Sequence, residues 1–225
     1  AGAVLIAKLT TGEMAQGANW FGGQTRNPWN VSAGSGGSSA GPGSATAAGC
    51  VGFSIGTETS GSILGPSRTC GITGLRPTFG RISRHGVMAL GWTYDRLGPM
   101  TRYAEDCAMV MSVVARPDGR DMSISDVPFN WNPAQMDIRK LKIGATGLDG
   151  PISDEAKKLM DVLKQQAATI TPLTIPVSKL PQFNAGYNYE QGAFFDEFVR
   201  AGNVAKMTNP GRGNGFKSAR LLNVV

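Results

Sequence analysis

The chain has 225 residues, a formal net charge of +6, 41% hydrophobic residues and 17% charged residues. This composition excludes a disordered protein, and no apolar run reaches the length of a membrane span. The basic residues are scattered, with the densest cluster at residues 139–142, so we expect a solvated basic surface and no nucleic-acid partner.

The chain contains few residues of the types that form disulfides and zinc sites. Three cysteines occur without a CxxC spacing, and His85 is the single histidine. An odd number of dispersed cysteines argues against a disulfide framework, and one histidine argues against a zinc site. We therefore expect no metal and no cofactor. The opening residues, AGAVLIAKL, lack the basic start and long apolar stretch of a signal peptide, which favours a cytoplasmic location.

The first half of the chain alternates apolar segments with glycine-rich turns. Residues 3–7 (AVLIA) are predicted to form a buried strand, residues 44–50 a helix and residues 51–57 a strand. Thr101 is predicted to cap a helix that runs to about Ala115 with one apolar face.

The second half begins with a segment rich in Pro, Asp and Asn, residues 116–137, which we expect to be a surface excursion. A strand at 141–146, a helix at 153–168 capped by Ser153 and a strand at 170–176 together predict a β-α-β unit. Residues 185–201 are predicted to be helical. Strands that alternate with helices favour an α/β fold with a mixed sheet.

Two glycine- and serine-rich turns pose the functional question: SGGSSAGPGS at residues 35–44 and ETSGSILGPS at residues 58–67. Such runs are typical of linkers, yet each lies beside a strand or small-residue segment, which indicates backbone amides aimed at an anionic group. A phosphate is one candidate. However, no Lys follows either turn as a P-loop requires, and the segment before the first turn, RNPWNVSA, is a poor strand for a dinucleotide site.

An oxyanion is the other candidate. Ser62 directly follows Gly61, and backbone N–H groups around such a serine can stabilise an oxyanion while its hydroxyl attacks a carbonyl. A serine nucleophile needs a base. Nothing around His85, in SRHGV, marks it as a triad histidine, so a lysine base with a serine relay remains.

The run GGSSAGPGSATAAGCVGFSIGTETSGSILGPSRTCGITGLRPTFGRISRHGV resembles the core motif of the amidase signature family, whose members are serine amidohydrolases with a Ser–cis-Ser–Lys triad. The resemblance extends upstream to AKLTTGEMAQG and downstream to RPDGRD. It implies the family's α/β fold, a mixed β-sheet covered by helices on both faces, present here as a partial core. By position, it also implies that Ser62 is the acyl-forming nucleophile and Ser38, 24 residues earlier, the relay serine beside a cis peptide bond.

The same resemblance gives roles to neighbouring residues. Ser39 matches a serine that orients the site. The family's oxyanion hole matches four backbone amides, those of Thr59, Ser60, Gly61 and Ser62. Thr57 and Glu58 are expected to shape this loop, and Arg76 and Arg81 to anchor structure.

The chain departs from the family pattern at the catalytic base, which is the Lys of the triad. The family's triad Lys lies well upstream of the relay serine, whereas only 37 residues precede Ser38, and Lys8 matches a later, non-catalytic Lys. We therefore expect the triad Lys to lie outside this chain. The expected organisation is an amidase signature domain over residues 1–225, a fragment that lacks N-terminal and C-terminal parts and has little activity alone.

These observations predict an amidase that hydrolyses a carboxamide bond, non-peptide or C-terminal, through a serine acyl-enzyme. Its partner would be a small-molecule or peptide amide, and the full-length form could be a homodimer. Two alternatives stay open. One is a protein similar to the A-subunit of an amidotransferase, which passes ammonia to a tRNA-linked substrate, and the other is a non-enzymatic scaffold that binds a ligand or partner.

Overall fold

A computed structural model describes residues 2–132, 134, 136–147, 150–166, 169–175, 186–208 and 210. The chain divides into two compact units, one of residues 1–130 with 184–225 and the other of residues 131–183. Among the described residues, no helix is both long enough and apolar enough to cross a membrane.

The first unit opens with short elements. A short turn (Glu13–Ala15), in which Met14 and Ala15 have positive φ, precedes two antiparallel hairpins. The hairpins are formed by β1 (Asn19–Trp20) with β2 (Gly23–Gln24) and by β3 (Arg26–Asn27) with β4 (Asn30–Gly34). Residues 3–7 form no strand in the described structure, contrary to the prediction, and Val4, Leu5 and Ile6 are 82%, 91% and 65% exposed. An apolar run forms a strand only where a neighbouring strand is available to pair with it.

A three-stranded antiparallel sheet forms the centre of this unit. Its strands are β5 (Phe53–Glu58), β6 (Thr73–Gly74) and β7 (Arg96–Thr101), in the order β5-β7-β6. β5 and β7 pair along their whole length, from Phe53 opposite Thr101 to Glu58 opposite Arg96. Three helices pack on these strands: α1 (Ala40–Ala47), α2 (Leu64–Cys70) and α3 (Ala104–Val114).

Helix α1 is built from small residues, AGPGSATA, which allow close packing. A Cβ on Gly41 would lie 2.8 Å from the backbone nitrogen of Thr10. Pro42 lies in the first turn, where its missing N–H costs no helical hydrogen bond. Buried Ser54 of β5 donates to the carbonyl of Pro42 (3.0 Å) and bonds the hydroxyl of Thr46 (2.8 Å), so polar contacts fasten the helix to the sheet.

Helix α3 follows the prediction except at its start. Cys107 and Met111 are buried on its inner face. Thr101 lies in β7 and donates to the carbonyl of Tyr103 (2.6 Å), so it is not the cap. Tyr103 occupies the N-cap position without a side-chain hydrogen bond to the helix.

The second unit is the predicted β-α-β unit. β8 (Lys142–Ala145) pairs in parallel with β9 (Thr169–Pro172), and α4 (Asp154–Gln165) connects them. A 3-10 turn (Ile138–Lys140) precedes β8. Ser153 caps the helix as predicted, since its hydroxyl accepts from the amide of Ala156 (3.3 Å). Leu159 and Val162 of this helix are 59% and 52% exposed.

The described part of the C-terminal region is helical, as predicted. It contains α5 (Gly186–Phe194), α6 (Asp196–Arg200) and a 3-10 turn (Asn203–Lys206). Phe195 separates the two helices and packs with Leu90 in a small hydrophobic cluster of the first unit. Both parallel and antiparallel strand pairs are therefore combined with helices, which confirms the α/β class.

Candidate active site

The stretch between β4 and α1 is packed into the first unit and is not an exposed linker. Ser38 is 1% exposed and Ser39 is 0% exposed. A Cβ on Gly37 would lie 2.1 Å from the carbonyl oxygen of Gly17, so only glycine fits there. The peptide bond between Gly37 and Ser38 is cis, at the place where the sequence predicted a cis bond beside Ser38.

Ser39 connects the start of α1 to the second Gly/Ser turn. Its amide donates to the carbonyl of Ser62 (3.0 Å). Its hydroxyl donates to the carbonyl of Thr57 (2.9 Å) and accepts from the amide of Thr57 (3.0 Å). The two turns that the sequence singled out are therefore brought together, with Ser39 hydrogen-bonded to the backbone of Ser62.

The Ser38 hydroxyl behaves differently. It is buried, and it makes no hydrogen bond with any described residue. Because a buried hydroxyl without a partner is costly, such a group calls for an explanation.

The loop from Thr59 to Ser62 lies between β5 and α2. Thr59 is buried, Ser60 and Gly61 are exposed, and Ser62 is half-buried. Gly61 has φ +89°, a conformation that favours glycine. Within the described chain, the amides of these four residues donate no hydrogen bond to another residue. The loop therefore has four N–H groups without a hydrogen-bond partner in the described chain.

Glu58 holds the end of this loop. The side chain is 1% exposed, and its Oε2 accepts from the amides of Ile63 (2.7 Å) and Leu64 (3.0 Å). Its Oε1 pairs with Nε of Arg76 (2.5 Å). A carboxylate on the first amides of α2 also stabilises the positive end of the helix. These contacts agree with the predicted loop-shaping role of Glu58 and the anchoring role of Arg76. Arg81 donates to the carbonyls of Val127 (2.5 Å) and Pro128 (3.4 Å), which is also an anchoring contact.

Asp95 is the residue at this site that the sequence analysis missed. Its Oδ1 accepts from the hydroxyl of Thr59 (2.5 Å), and its Oδ2 accepts from the amides of Leu90 (2.6 Å) and Gly91 (3.0 Å). One carboxylate therefore ties the first residue of the Ser62 loop to the segment around Leu90. The available signal was an acidic residue directly before β7, the strand that pairs with β5.

A cavity of about 720 Å³ opens beside this loop. Thr57 and Thr59 line it on one side, and the rest of its wall comes from residues 8–15, 84–97 and 120–122. Ser38, Ser39 and Ser62 are not among the lining residues. The cavity therefore adjoins the serine loop through Thr59 and does not contain the serines themselves.

Arg84 organises one wall of the cavity. Its Nε lies 3.4 Å from Oδ2 of Asp121, and its guanidinium also donates to the carbonyls of Trp92 (2.6 Å) and Asp95 (3.2 Å). Burial opposes ionisation of Asp121, but hydrogen bonds from Ser123 and Arg84 and the Arg84 charge hold its pKa well below the ordinary value. This wall is a fixed network of charged groups.

His85 lines the same cavity with an exposed side chain and makes no side-chain hydrogen bond within the described chain. Nothing pairs it with Ser62. Lys8 is also exposed on the cavity wall. Among the described residues, no group of three or more His, Cys, Asp or Glu side chains is arranged to hold a metal ion.

A match to a protein-family model extends over nearly the whole chain. The family model described as Amidase matches residues 1–212. The chain belongs to the amidase family. It is 41% identical over 187 residues to the A-subunit of the glutamyl-tRNA(Gln) amidotransferase of Roseiflexus sp. (strain RS-1), covering 78% of this chain and 38% of that protein. The chain thus spans well under half the length of this curated amidase-family relative.

Solved structures agree on the fold of this amidase-family chain. The native peptide amidase from Stenotrophomonas maltophilia is similar with a TM-score of 0.64 and 26% identity, over 84% of this chain and 41% of that chain. A variant allophanate hydrolase of Kluyveromyces lactis has a TM-score of 0.80 at 24% identity, over 97% of this chain and 37% of that chain, which concerns the fold alone. The α/β fold predicted from the motif is thereby confirmed as the amidase signature fold.

Proposed function

We propose that the protein to which this chain belongs is an amidase that hydrolyses a carboxamide bond through an acyl-enzyme on Ser62. The observation that carries the proposal is the loop of residues 59–62, whose amides donate to no described residue while Ser39 and Glu58 fix both its ends. Backbone donors fixed before the substrate arrives are what an oxyanion hole requires.

In the proposed reaction, Ser62 Oγ attacks the carbonyl carbon of the amide. Its proton passes to Ser38 Oγ and from there to a neutral Lys outside this chain. The amides of Thr59, Ser60, Gly61 and Ser62 stabilise the oxyanion, while Ser39 orients the loop. The C–N bond then breaks, the departing nitrogen takes a proton back through Ser38, and water hydrolyses the ester on Ser62 to release the acid.

The buried hydroxyl of Ser38 supports the relay role, because a proton relay needs a hydroxyl not already committed to a structural partner. The proposal treats residues 1–225 as part of one amidase domain, with 116–137 as a surface excursion. It also treats Lys8 as structural, so this chain alone should turn over amides poorly.

The test is covalent labelling of the longer protein with a fluorophosphonate probe, read by mass spectrometry. Labelling is expected at Ser62 and should be absent in S62A. The control is S32A, which removes an exposed hydroxyl from β4, outside the serine loop, and should label normally. S38A should slow labelling by roughly 100-fold or more, as loss of a proton-transfer group does. Labelling that survives in S62A would overturn the proposal.

A second candidate is an amidotransferase role, in which ammonia from an amide is passed to a tRNA-linked substrate. The observation that favours it is the 37–41% identity to the A-subunits of four bacterial glutamyl-tRNA(Gln) amidotransferases. The two roles differ in the fate of the nitrogen. Ammonia release from a simple amide, without any acceptor or further protein chain, supports the hydrolase. Release only in the presence of an amidotransferase complex and its acceptor supports the second role.

A further inference from the structure

The cavity beside the serine loop is electropositive. Four cationic side chains line it, against two carboxylates, and His85 adds a titratable group. The cations are Lys8, Arg84, Arg96 and Arg120, and the carboxylates are Asp95 and Asp121. The rest of the wall is largely apolar, with Leu9, Met14, Val87, Leu90, Trp92 and Leu97 among its members.

Both carboxylates are already committed to protein donors. Asp121 accepts from the amide and Nε of Arg84 and from Ser123. Asp95 accepts from Thr59 and from two backbone amides. Of these four cations, Arg84 alone has its charge compensated by an ion pair with a residue that the structure describes. Lys8, Arg96 and Arg120 form no ion pair with any described residue.

Arg96 is the most informative of the three. It begins β7 directly opposite Glu58, where cross-strand partners of opposite charge commonly pair. Glu58, however, gives both its oxygens to Arg76 and to the amides of Ile63 and Leu64. The Nε of Arg96 is buried and donates to no described residue. A buried charged donor without an acceptor is unfavourable, and an anionic ligand in the cavity would supply the acceptor.

We propose that this cavity binds an anionic end of the amide substrate, with Arg96 as the residue that determines specificity and Lys8 and Arg120 as supporting charges at its edge. The inference rests on the proposed amidase function and adds the substrate class. The apolar wall suits a short hydrocarbon linker, so the class is an amide that carries a carboxylate at its other end. Thr59 joins this cavity to the loop that carries Ser62.

The test measures binding, so that it does not depend on turnover. Succinamate and succinamide have nearly the same shape, but only succinamate carries a carboxylate. Isothermal titration calorimetry of the 225-residue chain at low salt should give succinamate the tighter binding, by about tenfold, the scale of one charge-assisted hydrogen bond. R96Q should remove this preference, whereas R96K should retain part of it.

The control is R116Q, which removes the same charge from an exposed position outside the cavity and should keep the preference. The absence of a cooperative thermal transition in R96Q would mean that this variant is not folded, and the double variant K8Q/R120Q then tests the proposal. It should bind succinamate about threefold more weakly than the wild type at low ionic strength. Equal binding of both compounds by the wild type, or an unchanged preference in a folded R96Q, would overturn the proposal.

This outcome is separable from the amidase proposal. Charge-selective binding without fluorophosphonate labelling of Ser62 in the longer protein supports the anion site and rejects the acyl-enzyme. Labelling of Ser62 without charge-selective binding rejects the anion site and leaves the acyl-enzyme supported.

Discussion

At the scale of single residues, Glu58 is the side chain on which the shape of the serine loop depends. In E58Q, an amide NH₂ would replace one carboxylate oxygen and face either Arg76 or the amides of Ile63 and Leu64, which are all donors. Because Arg76 is 39% exposed, solvent screens part of the ion pair. We expect a loss of about 2 kcal/mol in the free energy of unfolding, measured by urea denaturation.

The control for E58Q is D126N, since Asp126 is exposed and has no hydrogen bond or ion pair within the described chain. It should change the free energy of unfolding by less than about 0.5 kcal/mol. Equal effects of the two substitutions would contradict a specific role for Glu58.

Thr59 and Asp95 make a second residue-scale prediction. The Thr59 side chain is outside the proposed oxyanion hole, yet its hydroxyl sets the position of the loop through Asp95. T59V keeps the shape of the side chain and removes the donor, so fluorophosphonate labelling of Ser62 in the longer protein should slow by about tenfold. T59S keeps the hydroxyl and should label at the wild-type rate. Slow labelling of T59S would show that the methyl group, and not the hydrogen bond, is what matters.

The two turns show what a sequence can and cannot predict about a site. The glycine- and serine-rich composition pointed to both turns, and the structure brings them together through Ser39. Asp95 escaped prediction because its importance depends on the pairing of β5 with β7, which places it beside Thr59. Contacts between residues 36 positions apart follow from strand register, which local patterns do not specify.

At the scale of elements, the small residues of α1 are a packing requirement. G41A would improve helix propensity by about 1 kcal/mol. Its Cβ would, however, lie 2.8 Å and 2.9 Å from the backbone nitrogen and oxygen of Thr10 and 3.0 Å from Cβ of Leu9. We expect a net loss of about 2 kcal/mol in thermal or urea unfolding, since overpacking against backbone cannot relax easily. G52A, where no atom lies within 4 Å, should be nearly neutral.

The segment after α3 is predicted to be acid-sensitive. Hydrogen bonds from Ser83 and from the amides of Arg120 and Asp121 lower the pKa of Asp118 to about 2, and the pKa of Asp121 is also lowered. A carboxyl whose pKa is lower in the folded state than in the unfolded state, about 3.9, stabilises the fold above that pH and loses the contribution as pH falls. Stability should therefore decline between about pH 5 and pH 2.

D121N tests this assignment. The asparagine side chain cannot ionise, so the stability difference between wild type and D121N should be about 2 kcal/mol near pH 7 and shrink below pH 4. Urea unfolding at several pH values measures it. A difference that stays constant down to pH 2 would show that Asp121 acts through shape and not through its charge.

The elements themselves were predictable where local signals agree. Ser153, followed by Asp154 and Glu155, indicated the start of α4. The predicted strands before and after this helix indicated the β-α-β unit. The predicted helix cap at Thr101 was wrong because threonine favours strands as well as helix N-caps. Thr101 pairs with Phe53, and this pairing extends β7 to that position.

At the scale of the whole molecule, residues 3–7 show that an apolar run in the sequence is not always buried in the described chain. The pattern indicated burial, but Val4, Leu5 and Ile6 are largely exposed, since no described strand pairs with them. Their contribution to the stability of this chain should be small. Ile63, by contrast, is 0% exposed between the serine loop and α2.

Substitutions in these two environments should differ in their effect on the free energy of unfolding. V4T/L5Q/I6T should leave the free energy of unfolding of the 225-residue chain within about 0.5 kcal/mol of wild type and lower the fluorescence of bound ANS. I63T should cost about 3 kcal/mol, because it leaves a small cavity and buries a hydroxyl. Urea unfolding gives both values. A triple variant that loses as much stability as I63T would show that residues 4–6 are buried in solution, in this chain or between copies of it.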